Sequence, residues 1–323
     1  MPRPVPADPA RPGTAPPGRR VLLVDRPGRL DSLTARRRIA AHLTELALVR
    51  EARETREAGD EAPPADAALV CDDPVAAGEL SGAGVPVVYV HSGHTTGALP
   101  VTAAASRHAH VPGWLPGPAP GRADSVRAAG VLAPARLSRD RARSGCLLLL
   151  SAWEAAEPEL GAYAEEVVRP LVLRAVDRSG GCTVVYDAGH DRLHAALAPL
   201  PGVTLLRAAD ADADALHASA RVFLASPTLT AVSLAQARRA PLAFLPPLGP
   251  VQDDLARRVR QVVPVPVAGE EGHDRHDADA GGYGGDGDGD DLWAGVDPAT
   301  DDLRGAQRVA RAVRQLVLAP TGP

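Results

Sequence analysis

The chain has 323 residues, enough for two domains that each bury a core of their own. With 45% hydrophobic and 23% charged residues and no apolar run near the ~20 residues of a membrane helix, the composition excludes a membrane span and favours a globular, cytoplasmic protein. A formal net charge of −5 would argue against a nucleic-acid partner if the charge were spread evenly, and we expect no such partner. Residues 1–19 are rich in proline and lack the apolar centre of a secretory signal, which predicts a disordered tail.

The negative charge is concentrated in one segment. Residues 270–292 contain nine acidic residues and one arginine, a net charge of −8, so that the remaining chain carries +3. The segment is also rich in glycine, and such a composition cannot bury a core. We therefore predict a disordered insertion at 269–298 and a slightly basic folded part, which suits an anionic ligand.

Two features resemble metal sites, and neither has the required pattern. Aspartates of the acidic segment have the alternate spacing of an EF-hand loop, but Asp291 stands where that loop requires glycine. Cys71, Cys146 and Cys182 lie in apolar runs without CxxC spacing, which predicts reduced thiols in the core. We expect no metal and no cofactor.

Short runs of Val and Leu recur along the chain, each followed by a polar turn and a helical stretch. Because the runs are continuous rather than alternating, they predict strands buried on both faces, as in parallel sheets covered by helices. The pattern restarts after a Pro/Gly-rich stretch. It predicts two doubly wound, Rossmann-like α/β domains at 20–135 and 146–268, joined by an arginine-rich linker at 136–145. The runs lie at 19–25, 67–72, 85–91, 146–151, 182–187, 203–207, 221–226 and 241–246.

Helix signals follow several of these strands. Asp31 or Ser32 is a candidate cap for the first helix. The aspartate-rich run 208–220 predicts a short helix whose acids Asp210, Asp212 and Asp214 lie near its positive N-terminal end. Residues 299–318 predict a terminal helix, capped by Thr300, that packs back on the N-terminal domain.

The hydroxyl-rich turn from Ser226 to Thr230 lies between a buried strand and a helix. Hydroxyls and unpaired backbone N–H groups at a helix N-terminus favour a bound phosphate. An ordinary helix cap explains the same residues, since Ser and Thr are common caps. A second buried strand follows this helix, and the polar residues 252–254 come after it.

Together, these residues resemble the nucleotide-sugar half of GT-B glycosyltransferases: a strand ending in Ser, the sequence Pro-Thr-Leu-Thr, a helix, an apolar strand ending in Pro, and a Gln-Asp-Asp cluster. The likeness covers about 20–268 and 299–317. Within this superfamily the chain is similar to relatives of cytosylglucuronate synthase, which joins glucuronic acid from UDP-glucuronate to cytosine in nucleoside-antibiotic pathways. The resemblance implies GT-B architecture, a UDP-sugar donor and a small-molecule acceptor.

The resemblance also assigns residues to the donor. Two departures from the family pattern are visible: Ser233 stands near the place of the glutamate that binds the ribose, and the glycine-rich first loop is reduced to residues 25–32, without its usual catalytic histidine. The implied contacts are Ser226, Pro227, Thr228 and Thr230 with diphosphate and ribose, Ser151 with the phosphates, backbone groups of Arg207 and Ala208 in the loop after the 203–207 strand with the base, and Gln252, Asp253 and Asp254 with the donor sugar.

Transfer to an O–H or N–H acceptor requires a general base. His91 and His94 follow the carboxyl end of a predicted strand, and Asp25 ends the first one, so that all three are candidates. Alternatively, one histidine caps the turn and the other is solvated. A uronate donor would also require an arginine partner for its carboxylate, for which Arg26, Arg29 and Arg107 are candidates.

The sequence thus predicts a glycosyltransferase that moves a sugar, such as glucuronosyl, from a UDP-sugar to a small acceptor such as a nucleobase. One alternative on the same fold is a sugar-nucleotide epimerase or hydrolase, which would need acidic residues around the sugar. Another is a catalytically inactive scaffold, suggested by the absent glutamate and the shortened glycine loop.

Overall fold

The computed structural model describes residues 19–50, 65–97, 99, 102–117, 125–153, 155–269 and 291–318. In these residues the chain forms two separate parallel β-sheets, one in each half. The first contains β1 (Arg20–Asp25), β2 (Ala47–Arg50), β3 (Ala67–Cys71), β4 (Val87–His91), β5 (Ser106–Ala109) and β6 (Val126–Ala128). The second contains β7 (Ser144–Leu150), β8 (Cys182–Tyr186), β9 (Val203–Arg207), β10 (Ala220–Ala225) and β11 (Ala243–Phe244).

Both sheets are doubly wound. The strand order is β2-β1-β3-β4-β5-β6 in the first sheet and β11-β10-β7-β8-β9 in the second, and every pair is parallel. Every residue of β3 and β4 is buried, which explains why their runs are apolar without alternation. The predicted fold class is confirmed. In such sheets ligands bind beyond the carboxyl ends of the strands, where the order reverses.

The helices cover the faces of the two sheets. One π-helical turn, Ala164–Val168, joins two of them just before Pro170. Among the residues that the structure describes, no helix has the length and apolar character needed to cross a bilayer. The helices are α1 (Leu30–Ala40), α2 (Pro74–Gly82), α3 (Glu157–Tyr163), α4 (Arg169–Ser179), α5 (His190–Leu197), α6 (Ala213–Ser219), α7 (Leu229–Ala237), α8 (Pro250–Arg260) and α9 (Gly305–Leu318).

Helix α1 is buried on almost all sides, although it carries many polar residues. It packs on β1, β3 and α9 in the first half and also contacts α7 in the second. Its buried side chains include Asp31, Arg36 and Arg38. Polar groups buried in this way require partners on both sides. The helix therefore lies between the two sheets rather than on the outer surface of one.

The C-terminal segment returns to the first half. The apolar face of α9, including Val309 and Val313, packs in one cluster with residues of β1, β3 and β4. The helix begins at Gly305, so the predicted Thr300 cap is wrong: the Thr300 hydroxyl donates to the carbonyl of Asp297 (2.7 Å). A turn of chain thus precedes the helix, because the segment first has to cross the boundary between the halves.

Trp293 corrects the predicted limits of the acidic insertion. It is 1% exposed, donates through Nε1 to the carbonyl of Ala240 (2.9 Å) and meets Trp114 edge to face. Trp114 in turn donates to Gln236 of α7 (3.0 Å). Residues 291–298 are therefore part of the folded body, and a disordered segment at 269–298 is too long a prediction. Residues 1–18 and 270–290 lie outside the described part of the chain.

Candidate functional site

The carboxyl ends of the two sheets face each other across α1 and α7. Helix α1 starts after β1, and α7 starts after β10. We call the residues that the family resemblance assigns to the nucleotide the donor face: Ser151, Ser226, Thr228, Thr230, Ser233 and the backbone after Arg207. In the structure, protein groups from α1 contact this face.

The start of α7 is capped twice. Thr228 is the N-cap, and its side chain accepts a hydrogen bond from the Ala231 amide (3.2 Å). The amide of Thr230 donates to Oδ1 of Asp31 (2.8 Å), which belongs to α1. A carboxylate of the first half therefore occupies the N–H group at which a phosphate would be stabilised.

The start of α1 is capped from the opposite side. Arg29, its N-cap, makes no side-chain cap bond, and the amide of Leu30 donates to Oδ2 of Asp187 (3.0 Å). Asp187 follows β8 and also accepts from the Ser151 hydroxyl (2.7 Å) and the Ala152 amide (2.8 Å). Burial raises the pKa of Asp187 to about 6. The two helix starts are thus closed reciprocally by carboxylates.

The predicted cap of α1 is wrong, because neither Asp31 nor Ser32 caps this helix. Asp31 accepts from the Thr230 amide of α7 and does not cap its own helix, and burial raises the pKa of its carboxyl even though Thr230 donates to it. Ser32 accepts from the Arg26 amide (2.8 Å) and donates to the carbonyl of Cys71 (2.8 Å). Both residues connect elements that are distant in sequence, which a local pattern does not reveal.

Three consecutive arginines of α1 point in three directions, as a helix requires of neighbouring residues. Arg36 pairs with Asp25 inside the first half. Arg37 donates to backbone carbonyls of the loop after β9, at Ala208 (3.0 Å), Ala209 and Ala211. Arg38 contacts Asp214 through two nitrogens (3.0 and 2.7 Å). Two of the three guanidinium groups therefore bind the second half.

Arg37 and Arg38 lie at the positions assigned to the base and the ribose. The resemblance places the base against the backbone after Arg207 and Ala208, and here Arg37 binds that backbone. Ser233, which the resemblance places near the ribose glutamate, accepts through its hydroxyl from Arg38 Nη1 (2.8 Å). The Ala208 carbonyl and the Ser233 hydroxyl, which the resemblance assigns to the base and the ribose, are therefore already hydrogen-bonded to α1.

The aspartate-rich run before α6 has structural roles. The helix begins at Ala213, later than predicted, because Asp212 is its N-cap and accepts from the Ala215 amide (3.0 Å). Asp214 is the partner of Arg38. A cavity of about 520 Å³ lies beside these residues, between α1, α6 and the linker, and Arg136 and Arg238 also line it.

His94 forms a polar contact across the cleft. Its Nε2 lies 2.8 Å from Oδ2 of Asp254 on α8, and the side chains are 10% and 15% exposed. Burial acts to raise the pKa of Asp254, but the bond to His94 and the charge of Arg258 outweigh it and leave the pKa below its usual value. Because a carboxylate can only accept, Nε2–H donates and Nδ1 carries the lone pair in the neutral imidazole. This arrangement orients a base.

The other two candidate bases are less suited to proton transfer. His91 is buried, packs edge to face on Tyr89, and has no hydrogen-bond partner at Nε2 within the described residues. Burial lowers the pKa of His91. Asp25 is occupied by an ion pair with Arg36 inside the first half.

The three polar residues after β11, at positions 252–254, make three different kinds of contact. The Gln252 side chain donates through Nε2 to the carbonyl of Ser151 (2.9 Å), and its Oε1 accepts from the Leu248 amide (3.0 Å). It therefore connects α8 to the end of β7. Asp253 pairs with Arg257 in solvent. Of the three residues assigned to the donor sugar, Asp254 faces the first half. Two adjacent free carboxylates, as an epimerase would need, are not found in this cluster.

The short first loop places two arginines against an aromatic ring of the second half. The guanidinium carbons of Arg26 and Arg29 lie 4.9 and 5.9 Å from the ring centroid of Trp153, which follows β7. Arg29 also lies 3.8 Å from Asp72. Arg107 is on β5 and contacts Ser125 (3.3 Å). Arg26 and Arg29 therefore lie between the halves, close to the donor face.

This cluster contains four residues that the sequence patterns did not indicate as its members: Asp31, Arg37, Arg38 and Asp187. Asp187 could have been found, because it follows a buried strand at the carboxyl edge where ligands bind. The residues of α1 carry no such signal, since their partners are more than 170 positions away in sequence. In the described ranges, no three His, Cys, Asp or Glu side chains converge as a metal site would require.

A family model described as CGA synthase-related protein matches residues 21–321. No curated protein sequence matches the chain.

Among solved structures, Arabidopsis thaliana UGT89C1 complexed with UDP-L-rhamnose is similar at 9% identity, with a TM-score of 0.51 and 93% of this chain and 100% of that chain covered. Acinetobacter baumannii MurG (12% identity, TM-score 0.46, 93% and 100% covered) and the glycotransferase of kitacinnamycin (15%, 0.44, 94% and 96%) are also similar. The likeness to UGT89C1 shows the fold alone, and that fold is GT-B.

Proposed function

Because the chain belongs to the family of CGA synthase-related proteins, we propose that it transfers a glycosyl group from a nucleoside-diphosphate sugar to a small-molecule acceptor. The observation that carries this proposal is the pair of His94 and Asp254 across the cleft. It supplies a base from one domain, oriented by a carboxylate of the other. The pair forms beside the edges at which a GT-B fold brings two substrates together.

The proposed step is a displacement at the anomeric carbon of the sugar. His94 Nδ1 takes the proton of an acceptor O–H or N–H group, while the acceptor atom forms its bond to that carbon. The bond between the sugar and the diphosphate breaks, and the nucleoside diphosphate leaves with the electron pair. Asp254 stabilises the imidazolium that forms, as a carboxylate does beside a catalytic histidine.

The start of α7 suits the leaving diphosphate. Its backbone N–H groups and the hydroxyls of Ser226, Thr228 and Thr230 lie at the positive end of a helix dipole. We propose further that the donor nucleotide carries uracil and that the transferred sugar is glucuronosyl. The position of Arg26 over Trp153 supports a uronate, because this guanidinium lies beside the donor face.

The test measures transfer from UDP-glucuronate and UDP-glucose to nucleobase acceptors such as cytosine, with and without acceptor. We expect a glycosylated product that requires the acceptor, and His94→Ala should lower kcat/KM by ~10²–10⁴-fold. His194→Ala, a substitution of an exposed histidine on α5, is the matched control and should leave the rate unchanged. Sugar release without acceptor would instead identify a hydrolase.

Asp254 is tested as a positioning residue. Asp254→Asn keeps the shape of the side chain but removes the charge that stabilises the imidazolium, so that kcat should fall while KM changes little. Asp177→Asn, at an exposed position on α4, serves as its control. An unchanged kcat in Asp254→Asn would show that the pair only holds the two domains together.

A scaffold without turnover is the second candidate function, and one observation favours it. Asp31, Arg37 and Arg38 bind the groups that a donor would need. Calorimetric titration with UDP, UDP-glucose and UDP-glucuronate separates the two functions. Binding of any of them supports the transferase, whereas the absence of heat in the wild type and in variants with these side chains removed supports the scaffold.

A further inference from the structure

We propose that α1 is a reversible plug of the donor face, and that a nucleoside-diphosphate sugar enters only after the two domains separate. The α1 plug consists of Asp31, Arg37 and Arg38. This inference rests on the proposed function for the identity of the ligand. The closure itself depends on hydrogen bonds between the domains.

Each plug residue presents the chemistry that a part of the donor would present. The carboxylate of Asp31 accepts from the amide of Thr230, as a phosphate oxygen would. The guanidinium of Arg37 binds the carbonyls of Ala208, Ala209 and Ala211, which are acceptors for the N–H groups of a base. Arg38 binds the Ser233 hydroxyl at the ribose position. Donor and plug therefore exclude each other.

The contacts are reciprocal, so that they form and break together. Asp31 closes the start of α7, and Asp187 of the second domain closes the start of α1 through the Leu30 amide. A rigid rotation that withdraws Asp31 also removes Leu30 from Asp187. The boundary between the domains therefore has two arrangements. In the closed one all of these contacts are made, and in the open one the donor face is free, without a series of intermediate positions.

The closed arrangement also carries a cost that favours reversibility. Asp31 and Asp187 are buried carboxyls close enough to interact, and burial raises the pKa of both. Burying a charged group is unfavourable, and separation of the domains returns both carboxylates to water. The side chains of Arg29 and Asp72 also face Asp31, the first favouring its charge and the second opposing it.

The plug reduces the apparent affinity for the donor in proportion to the open fraction. Asp31→Ala and Arg37→Ala should therefore bind UDP at least ~10-fold more tightly than the wild type. Asp177→Ala on α4 and Arg311→Ala on α9 replace exposed residues of the same types and should leave the affinity unchanged. The milder Asp31→Asn and Arg37→Gln repeat the measurement if either alanine variant does not fold, as checked by circular dichroism.

A distance between domains tests the plug without reference to catalysis. Val75 on α2 and Leu173 on α4 are exposed, whereas Cys71, Cys146 and Cys182 are buried. Spin labels on Val75→Cys and Leu173→Cys therefore report one distance, one label in each domain. We expect one dominant distance in the wild type and a second, changed distance in Asp31→Ala and Arg37→Ala, or in the wild type with saturating UDP.

The two readouts separate the two proposals. Distances that change in the plug variants, with tighter UDP binding, support both the plug and the proposed function. Changed distances without UDP binding in any variant keep the mobile closure but overturn the nucleotide-sugar function. A distance distribution that is the same in all variants, with UDP affinity equal to that of the wild type, overturns the plug and leaves the function standing.

Discussion

The starts of α1 and α7 face each other and are capped by different means. Helix α7 has a local cap, Thr228, three residues before the amide that it binds. Helix α1 has none, and its first amide depends on Asp187, which is 157 positions away in the chain. The start of α7 can therefore form within its own domain, whereas that of α1 is satisfied only when the domains meet.

This difference shows which of the two carboxylates contributes more to the stability of the closed arrangement. A buried donor or acceptor without a partner costs far more than the net value of one hydrogen bond. Asp187 satisfies three donors at once, the Leu30 and Ala152 amides and the Ser151 hydroxyl. Asp31 satisfies the amide of a helix that already has a cap of its own. The two carboxylates are therefore unequal.

The largest effect is expected for Asp187→Ala. It leaves three buried donors without an acceptor, so that the free energy of unfolding should fall by roughly 3 kcal/mol in urea denaturation. Hydrogen exchange should accelerate at the Leu30 amide and remain slow at Ala231, whose acceptor is Thr228. Equal acceleration at both amides would show that the two helix starts are not independent.

A pH-dependent effect of about 2 kcal/mol between about pH 7.5 and about pH 4.5 is expected from the same residue. With a pKa of about 6 in the folded state against an ordinary value of 3.8, the folded protein holds the proton more tightly. This contribution is complete below the ordinary pKa and is lost as the pH rises through about 6.

The comparison with Asp187→Asn isolates this contribution, because the variant does not titrate there. The wild type should gain about 2 kcal/mol relative to the variant between about pH 7.5 and about pH 4.5. Asp31 and Leu30 face the carboxyl from α1, and Ser151 and Ala152 face it from the end of β7. A difference that does not vary with pH would contradict a buried, proton-binding Asp187.

A smaller effect is expected at the local cap. Thr228→Ala removes the acceptor for the Ala231 amide and should lower the free energy of unfolding by ~1 kcal/mol. Thr228→Ser keeps a capping hydroxyl and should therefore keep most of the wild-type stability. Thermal denaturation of both variants measures the difference. A loss as large as that of Asp187→Ala would mean that Thr228 does more than cap α7.

The smallest effect is expected at an exposed ion pair near the cleft. Asp253 and Arg257 on α8 are 63% and 59% exposed, and pairs of this kind contribute little to stability because solvent screens their charges. Arg257→Gln should therefore leave the melting temperature almost unchanged, and added salt should remove any difference. Arg257 also lies 3.0 Å from Oδ1 of Asp254, and a clear loss of stability in Arg257→Gln would mean that its pairs with Asp253 and Asp254 are not simply screened by solvent.

Several parts of the site could be predicted because they depend on short stretches of chain. The continuous apolar runs identify buried parallel strands, and Thr228 can be recognised as a cap from its place between strand and helix. The pairing of His94 with Asp254 is partly visible, because His94 follows the end of β4 and Asp254 lies on the helix after β11, at the edge where ligands bind. The pairing itself requires the two domains to be placed.

The sequence by itself determined two doubly wound sheets, eight of the eleven strands in the described residues and the edges at which polar residues gather, because side-chain burial and turn chemistry act over a few residues. It did not indicate the short strands β2, β5 and β6. Only the tertiary structure decided that α1 lies in the cleft, that Asp31 and Asp187 cap each other's domain, and that Trp293 belongs to the core. These depend on how two independently formed halves meet, and no local preference encodes that orientation.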